Sequence, residues 1–287
     1  MIGERFRLAV YQCAPRLGEP GENARRLAEA AGCAELVVAP ELALTGYAVG
    51  DDAPRLARPV APGGPAPIAV PEGSGDLVFG LVEQGAGAEC GLVYNSAVHV
   101  RAGRVLFRHR KIYLPTYGMF DEGRFFGRGD RVAAYDLGGG WRAGLLVCED
   151  FWHPALAYLL AVQGIHLLLV LAAAPGRGVW DGGEAGGRFG SWDGWERLAR
   201  ATAQLYGVYV VVANRTGVED GLVFAGGSLV VGPDGAVLAR APADGEALLE
   251  TTVSLAAVAA ARRPGGHARD DDPRLTLREL ARVLDAR

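Results

Sequence analysis

Short apolar runs alternate along this chain with stretches whose apolar residues recur every three or four positions, and each pattern predicts its own kind of element. Arg5–Gln12 and Glu35–Ala39 read as strands, the second stopped by Pro40. Between them, Glu22–Ala31 places Ala24, Leu27, Ala28 and Ala31 at helical spacing. Asp51–Gly75 is rich in proline and glycine and leaves room for at most a short helix. Strands are predicted at Asp76–Glu83, Gly91–Val100 and Arg104–Arg110, the last two joined by a hairpin turn at Arg101-Ala102-Gly103. Arg131–Leu137 and Trp141–Val147 form another pair around Gly138-Gly139-Gly140. A helix at Pro154–Gln163 leads to the strand Ile165–Leu171. A Gly/Trp-rich loop then runs from Ala174 to about Ser191, followed by a helix at Trp192–Tyr206. Further strands are expected at Val208–Ala213, Gly227–Val231, Ala236–Ala239 and Ala247–Val253. Asp272–Arg287 reads as an amphipathic helix with Leu275, Leu277, Leu280, Val283 and Leu284 apolar, suited to docking on a partner subunit.

Hairpins and β-α-β crossovers together predict mixed sheets. Many strands with few helices favour a layered α/β sandwich over a barrel of eight equal units. With no linker or internal repeat, residues 1–287 are expected to form a single domain, with a core over about 1–260 and a tail over 261–287. Composition narrows the class of function. At 50% hydrophobic and 22% charged residues, the chain has the balance of a soluble globular protein. A net charge of −4 argues against a nucleic-acid or anionic-membrane surface. The longest apolar run, Leu167–Ala174, is too short to span a bilayer, and the N-terminus lacks the apolar stretch of a signal peptide. Cys13, Cys33, Cys90 and Cys148 form no CxxC pair, so neither a zinc site nor a redox motif is suggested. A cytoplasmic enzyme with reduced thiols and no cofactor is expected.

Lys111 is the only lysine among 29 lysines and arginines. A position held by lysine in so arginine-biased a chain points to a need for a compact ammonium on a flexible stem. Two other groups sit in comparable places, each at the end of an apolar run: Glu41 after Leu36-Val37-Val38-Ala39-Pro40, and Cys148 after Leu145-Leu146-Val147. A cysteine ending such a run is most often a small core hydrophobe. Here the strand gives way at once to Glu149-Asp150, and a helix begins near Pro154, a strand-to-helix turn of the kind that exposes a nucleophile. A thiol with pKa near ~8.5 needs a base or a neighbouring cation to react, and a cation lowers that pKa. The five histidines (His99, His109, His153, His166, His267) read as structural or surface residues. Glu41 is the better base, since desolvation at a strand end raises a carboxyl pKa. Lys111 suits the thiolate and the oxyanion; loss of one such donor costs about 3–4 kcal/mol of barrier. Glu122 is a candidate to orient the ammonium or hold a substrate amide, or else an exposed loop acid.

Three motifs, Pro-Glu-Leu-x-Leu-Thr-Gly-Tyr at 40–47, Lys-Ile-Tyr-Leu-Pro-Thr-Tyr-Gly-Met-Phe-Asp-Glu at 111–122 and Cys-Glu-Asp-Phe-Trp at 148–152, resemble the nitrilase, or carbon–nitrogen hydrolase, superfamily. Within it they are most similar to the glutaminase domain of glutamine-dependent NAD synthetase, and the likeness extends through Trp195–Ala201 and Asn214–Gly221. The resemblance implies a four-layer αββα sandwich with two mixed sheets, commonly paired into homodimers or larger homo-oligomers. It implies Glu41 as general base, Lys111 as oxyanion stabiliser, Cys148 as nucleophile and Glu122 as auxiliary glutamate. Tyr47, Tyr117, Phe120 and the backbone N–H of Glu149 become the expected substrate contacts. Three features depart from the family pattern, one of them that Asp51–Gly75 is too poor in helix formers for the usual helix after the first motif. Nothing after residue 220 resembles the Ser-Gly-Gly-x-Asp-Ser phosphate loop of a synthetase domain, and Ala172–Gly178 replaces a Ser-Pro-Tyr stretch.

The function expected is hydrolysis of a small carboxamide through a thioester on Cys148, with ammonia released. A stand-alone glutaminase feeding a separate synthetase is the alternative enzyme; an inactive binding or scaffold protein on the same fold is the alternative of another class, and nitrile hydrolysis stays open.

Overall fold

The computed structural model describes residues 2–178, 180–181, 188–263 and 270–286. His267 and part of the Gly/Trp-rich loop lie outside the described residues. Among the described residues twelve longer strands build two sheets, and a two-residue strand, Arg58–Pro59, adds to the first. In the first, β1 (Arg5–Gln12), β2 (Leu36–Val38) and β3 (Asp76–Gln84) run parallel, and β4 (Val93–Arg101) and β5 (Arg104–Arg110) continue antiparallel. The second repeats that plan with β6 (Ala134–Gly138), β7 (Trp141–Val147), β8 (Leu167–Ala172), β9 (Tyr209–Asn214), β10 (Leu229–Val231) and β11 (Val237–Arg240), whose central strands β7, β8 and β9 are parallel. The chain returns through β12 (Ala247–Ser254), which closes the first sheet antiparallel to β1. Helices α1 (Pro20–Ala30), α2 (Pro154–Val162), α3 (Ser191–Tyr206), α4 (Leu255–Arg262) and α5 (Pro273–Asp285) accompany these sheets.

The alternation of side chains along a strand explains the layers. Leu8, Val10, Leu36, Val38 and Val78 from the first sheet meet Leu145, Val147, Leu167, Leu169 and Val211 from the second in one buried core. Their neighbours point the other way: Leu146, Leu168, Val170 and Val212 pack against α2 and α3, while Ala9, Val37 and Leu77 pack against α1. The central strands are therefore apolar on both faces, as strands covered on two sides must be. Burying each large side chain contributes about 1.5–3 kcal/mol. The four-layer αββα sandwich with two mixed sheets is the observed architecture.

Some segments differ from expectation. The hairpin Thr216–Glu219 with Leu222–Ala225 has strands of only four residues, the first interrupted by Gly217 and Glu219, so periodicity passes over it. Helix α4 follows β12 without a break; its one signal is Ser254, whose Oγ accepts from the Ala257 N–H at 3.3 Å as an N-cap. The Gly/Trp-rich loop contains a short antiparallel pair, Trp180–Asp181 with Arg188–Phe189. Helix α5 exposes Leu275, Leu277, Leu280, Val283 and Leu284. Among the described residues no helix is long and apolar enough to cross a membrane, and no cluster of potential metal ligands occurs.

Candidate active site

Four strand ends converge. β2 and β5 run the same way through the first sheet, and β7 and β8 are parallel in the second, so their carboxyl ends carry Glu41, Lys111, Cys148 and Ala173 respectively. Crevices at the carboxyl ends of such strands are where α/β sheets bind ligands.

Glu41 sits on a tight turn with Leu42 at φ +49°, pressed against β3 at Gly80. A Cβ at residue 80 would lie 2.2 Å from the Leu42 nitrogen, so only glycine admits this turn. The Glu41 carboxylate is fully buried. Its Oε1 accepts from Lys111 Nζ at 2.7 Å and from Asn95 Nδ2 at 2.8 Å, and its Oε2 accepts from the Ala173 N–H at 2.8 Å. Lys111 is equally buried and donates a second hydrogen bond, also 2.7 Å, to Glu122 Oε1. An ammonium has three donors. Among the described residues two are directed at the carboxylates, which leaves the third for another acceptor.

Glu122 is no exposed loop acid: it is buried at the start of a short helical turn, Glu122–Phe125. Its Oε1 also accepts from the Tyr47 hydroxyl at 2.6 Å, while its Oε2 is buried without a partner among the described residues. Burial raises the Glu122 pKa, the Lys111 charge opposes that rise, and the Glu41 charge adds to it; the balance is about 7. For Lys111 burial acts in the lowering direction, but Glu122 and Glu41 outweigh it and hold the ammonium well above the usual lysine range.

Cys148 follows β7 directly and adopts φ +46°, a left-handed conformation that costs an ordinary residue about 1–2 kcal/mol. Asp150 holds this turn. Its Oδ2 accepts from the Val147 N–H and pairs with His109 Nε2 at 2.8 Å, and its Oδ1 accepts from the Ile112 and Tyr113 N–H groups at 2.9 Å each. One buried carboxylate thus stitches the cysteine turn to the segment after Lys111. His109 and His99, both buried, are structural: His99 bridges Asp76 at 3.0 Å and the Tyr135 hydroxyl at 2.8 Å.

The thiol differs from the expectation of a pKa lowered by a cation. Burial pushes the Cys148 thiol well up, Glu41 pushes it further, and Lys111 only partly opposes them. At neutral pH Cys148 is protonated, with a carboxylate beside it.

A cleft of about 500 Å³ opens on Cys148 and is walled by Tyr117, Phe120, Glu149, Trp152 and Trp195. Arg177 stands at this cleft with its guanidinium 5.0 Å from the Phe120 ring centre. The Tyr117 hydroxyl donates to Glu149 Oε2 at 2.8 Å, and burial together with that bond pushes its pKa up to about 12. Tyr47, by contrast, is half-buried behind Glu122, edge-on to Phe120 and Phe224. The structure therefore brings together Glu41, Lys111, Glu122 and Cys148, lines the cleft with Tyr117, Phe120 and Glu149, and places Tyr47 against Glu122. Sequence reasoning missed Asn95 and the Ala173 N–H. A polar Asn95-Ser96 pair within an otherwise apolar strand was the available signal for the first; a backbone donor leaves none.

The carbon–nitrogen hydrolase family matches residues 7–263. The glutamine-dependent NAD(+) synthetase of Acinetobacter baylyi is 32% identical over 250 residues, 85% of this chain but 43% of that enzyme, so the chain spans less than half the length of this relative. An (R)-stereoselective amidase from a Pseudomonas species is 30% identical over 273 residues, 92% of this chain and 91% of its own. Among solved structures, a glutamate-to-glutamine mutant of the amidase from Nesterenkonia sp. AN1, with the acetamide moiety of fluoroacetamide added covalently at its active site cysteine, superposes with a TM-score of 0.72 at 25% identity and 95% coverage of both chains. By the extent of these matches, the chain belongs to the carbon–nitrogen hydrolase family.

Proposed function

We propose that this protein is an amidase that cleaves a small carboxamide through a thioester on Cys148 and releases ammonia. The observation that carries the reading is one buried ammonium, Lys111, bonded at 2.7 Å to each of two carboxylates beside a left-handed cysteine that opens on the cleft. Glu41 takes the Cys148 proton as sulfur attacks the amide carbon. The third Lys111 donor, with the Glu149 backbone N–H, receives the negative charge that develops on oxygen. The C–N bond breaks as Glu41 returns the proton to nitrogen, and ammonia leaves. Glu41 then takes a proton from water, which attacks the thioester; the acid is released and Cys148 regains its proton. The unpartnered Glu122 Oε2 suits an amide N–H of the substrate. Amidase relatives of nearly full length support the reading.

A stand-alone glutaminase is the second reading, favoured by the synthetase relatives. A panel of amides assayed for ammonia separates the two: small aliphatic amides turned over ahead of glutamine support the amidase, and the reverse order supports the glutaminase. Release of ammonia from no amide would remove both and leave the scaffold protein.

The same assay reads Glu122. If its ionised form holds Lys111 during catalysis, kcat/KM should rise with pH through an acid limb near 7, the value burial and Glu41 impose against Lys111. Below that pH the carboxyl is protonated and its bond to the ammonium weakens. A flat profile from pH 5 to 9 would show that the ionisation is not needed.

A further inference from the structure

We infer that Glu219, held by Arg215, is a positioning residue: it fixes the turn that aims the Tyr47 hydroxyl at Glu122. The inference deepens the proposed function, since it rests on Glu122 belonging to the reacting machinery.

Glu122 Oε1 has two donors, Lys111 Nζ and the Tyr47 hydroxyl. Lys111 is fixed by Asn95, whose carbonyl accepts from the Lys111 N–H at 2.8 Å. Tyr47 lies outside any strand, so something else must set its backbone. Both the Tyr47 and Ala48 N–H groups donate to a single oxygen, Glu219 Oε1, at 2.7 Å each. The preceding Gly46 has φ +81°, and a Cβ there would sit 2.8 Å from Glu219 Oε2, so the turn closes directly on this carboxylate. Glu219 Oε2 accepts from Arg215 Nη1 at 2.8 Å, and both side chains are buried. The Arg215 guanidinium lies 4.0 Å from the Phe224 ring centre, and that ring meets Tyr47 edge-on at 5.7 Å. The Arg215 N–H donates to the Ala172 carbonyl at 3.1 Å, one residue before the amide that holds Glu41. One ion pair therefore ties the turn behind Glu122 to the strand end behind Glu41. Replacing a buried ion pair by apolar groups is often neutral or stabilising, so direction rather than net stability is what this pair supplies.

The groups facing Glu122 are Lys111, Glu41, the Tyr47 hydroxyl and, across the site, the Cys148 thiol. A hydrogen bond donated to a carboxylate favours its ionised form, so losing the Tyr47 bond must raise the Glu122 pKa. The test is an infrared difference titration of the Glu122 carboxyl, with E122Q as the blank, in the wild type, Tyr47→Phe, Glu219→Ala, Glu219→Gln and the double variants with Tyr47→Phe. Y47F and E219A should raise the midpoint by on the order of one pH unit. E219Q should raise it less, because its side-chain carbonyl still accepts from residues 47 and 48. Neither Glu219 variant should add to Y47F, since all act through one hydroxyl. A midpoint left at the wild-type value in the Glu219 variants, or a shift adding in full to that of Y47F, would overturn the inference. If E219A fails to fold, E219Q and E219Q/Y47F decide by the same comparison. The titration needs no turnover, so failure to hydrolyse amides would sink the proposed function without touching this result.

Discussion

Lys111→Arg should fold and lose amide turnover by about 10²–10³-fold, the loss expected when one oxyanion donor is removed. Lys111 is fully buried, and its ammonium reaches two carboxylate oxygens at 2.7 Å each. A guanidinium keeps the charge, so Glu41 and Glu122 still face a cation and the core survives. Its planar fork is wider and stiffer than an ammonium and directs its donors in one plane, so it cannot hold both carboxylates and also aim a donor into the cleft. Lys111→Met should behave differently: two buried carboxylates are left without a cation, a change that costs about 3–5 kcal/mol. Thermal melting and kcat/KM on the same preparations separate the two effects. Near-normal turnover in K111R would end the reading of Lys111 as the oxyanion's partner.

How much of this was legible in the chain differs by kind of feature. The central strands of both sheets were readable because each is apolar on both faces, and such runs leave a strong mark: Leu167–Ala172 and Tyr209–Asn214 are buried at every position. The hairpin at 216–225 was not, because it is specified by partners far away. Thr216 N–H donates to the Cys13 carbonyl and Ala225 N–H to the Ala174 carbonyl, and each strand of the hairpin is only four residues long. The site shows the same division. Lys111, Glu41 and Cys148 announced themselves as polar groups at the ends of apolar runs, whereas Glu122 looked equally like a surface acid. What makes it a buried group is contact with Lys111 and Tyr47, and the second depends on Glu219, from a different part of the sequence. The thiol's acidity was misjudged for a related reason. A sequence displays the cation but not the depth of burial, and here burial and Glu41 together exceed Lys111.

That balance makes a second large effect testable. Cys148→Ala should abolish both turnover and covalent capture; loss of a nucleophile that works as a unit with its base costs on the order of 10⁶-fold in kcat. Intact-mass spectrometry after incubation with fluoroacetamide should show one adduct on the wild type and none on C148A. The raised thiol pKa adds a sharper expectation about which electrophiles succeed. A protonated thiol reacts slowly with a simple alkylating agent, so exposed Cys90 should outrun Cys148 toward iodoacetate. With an amide the order should reverse, because the carbonyl oxygen can meet the free Lys111 donor while Glu41 removes the proton, and the thiolate forms only as it attacks. Glu41→Gln should suppress thioester formation on an amide, read as ammonia release, while leaving the Cys90 reaction unchanged. Equal ammonia release by E41Q and wild type would mean that Cys148 reacts from a standing thiolate, with Glu41 no longer its base.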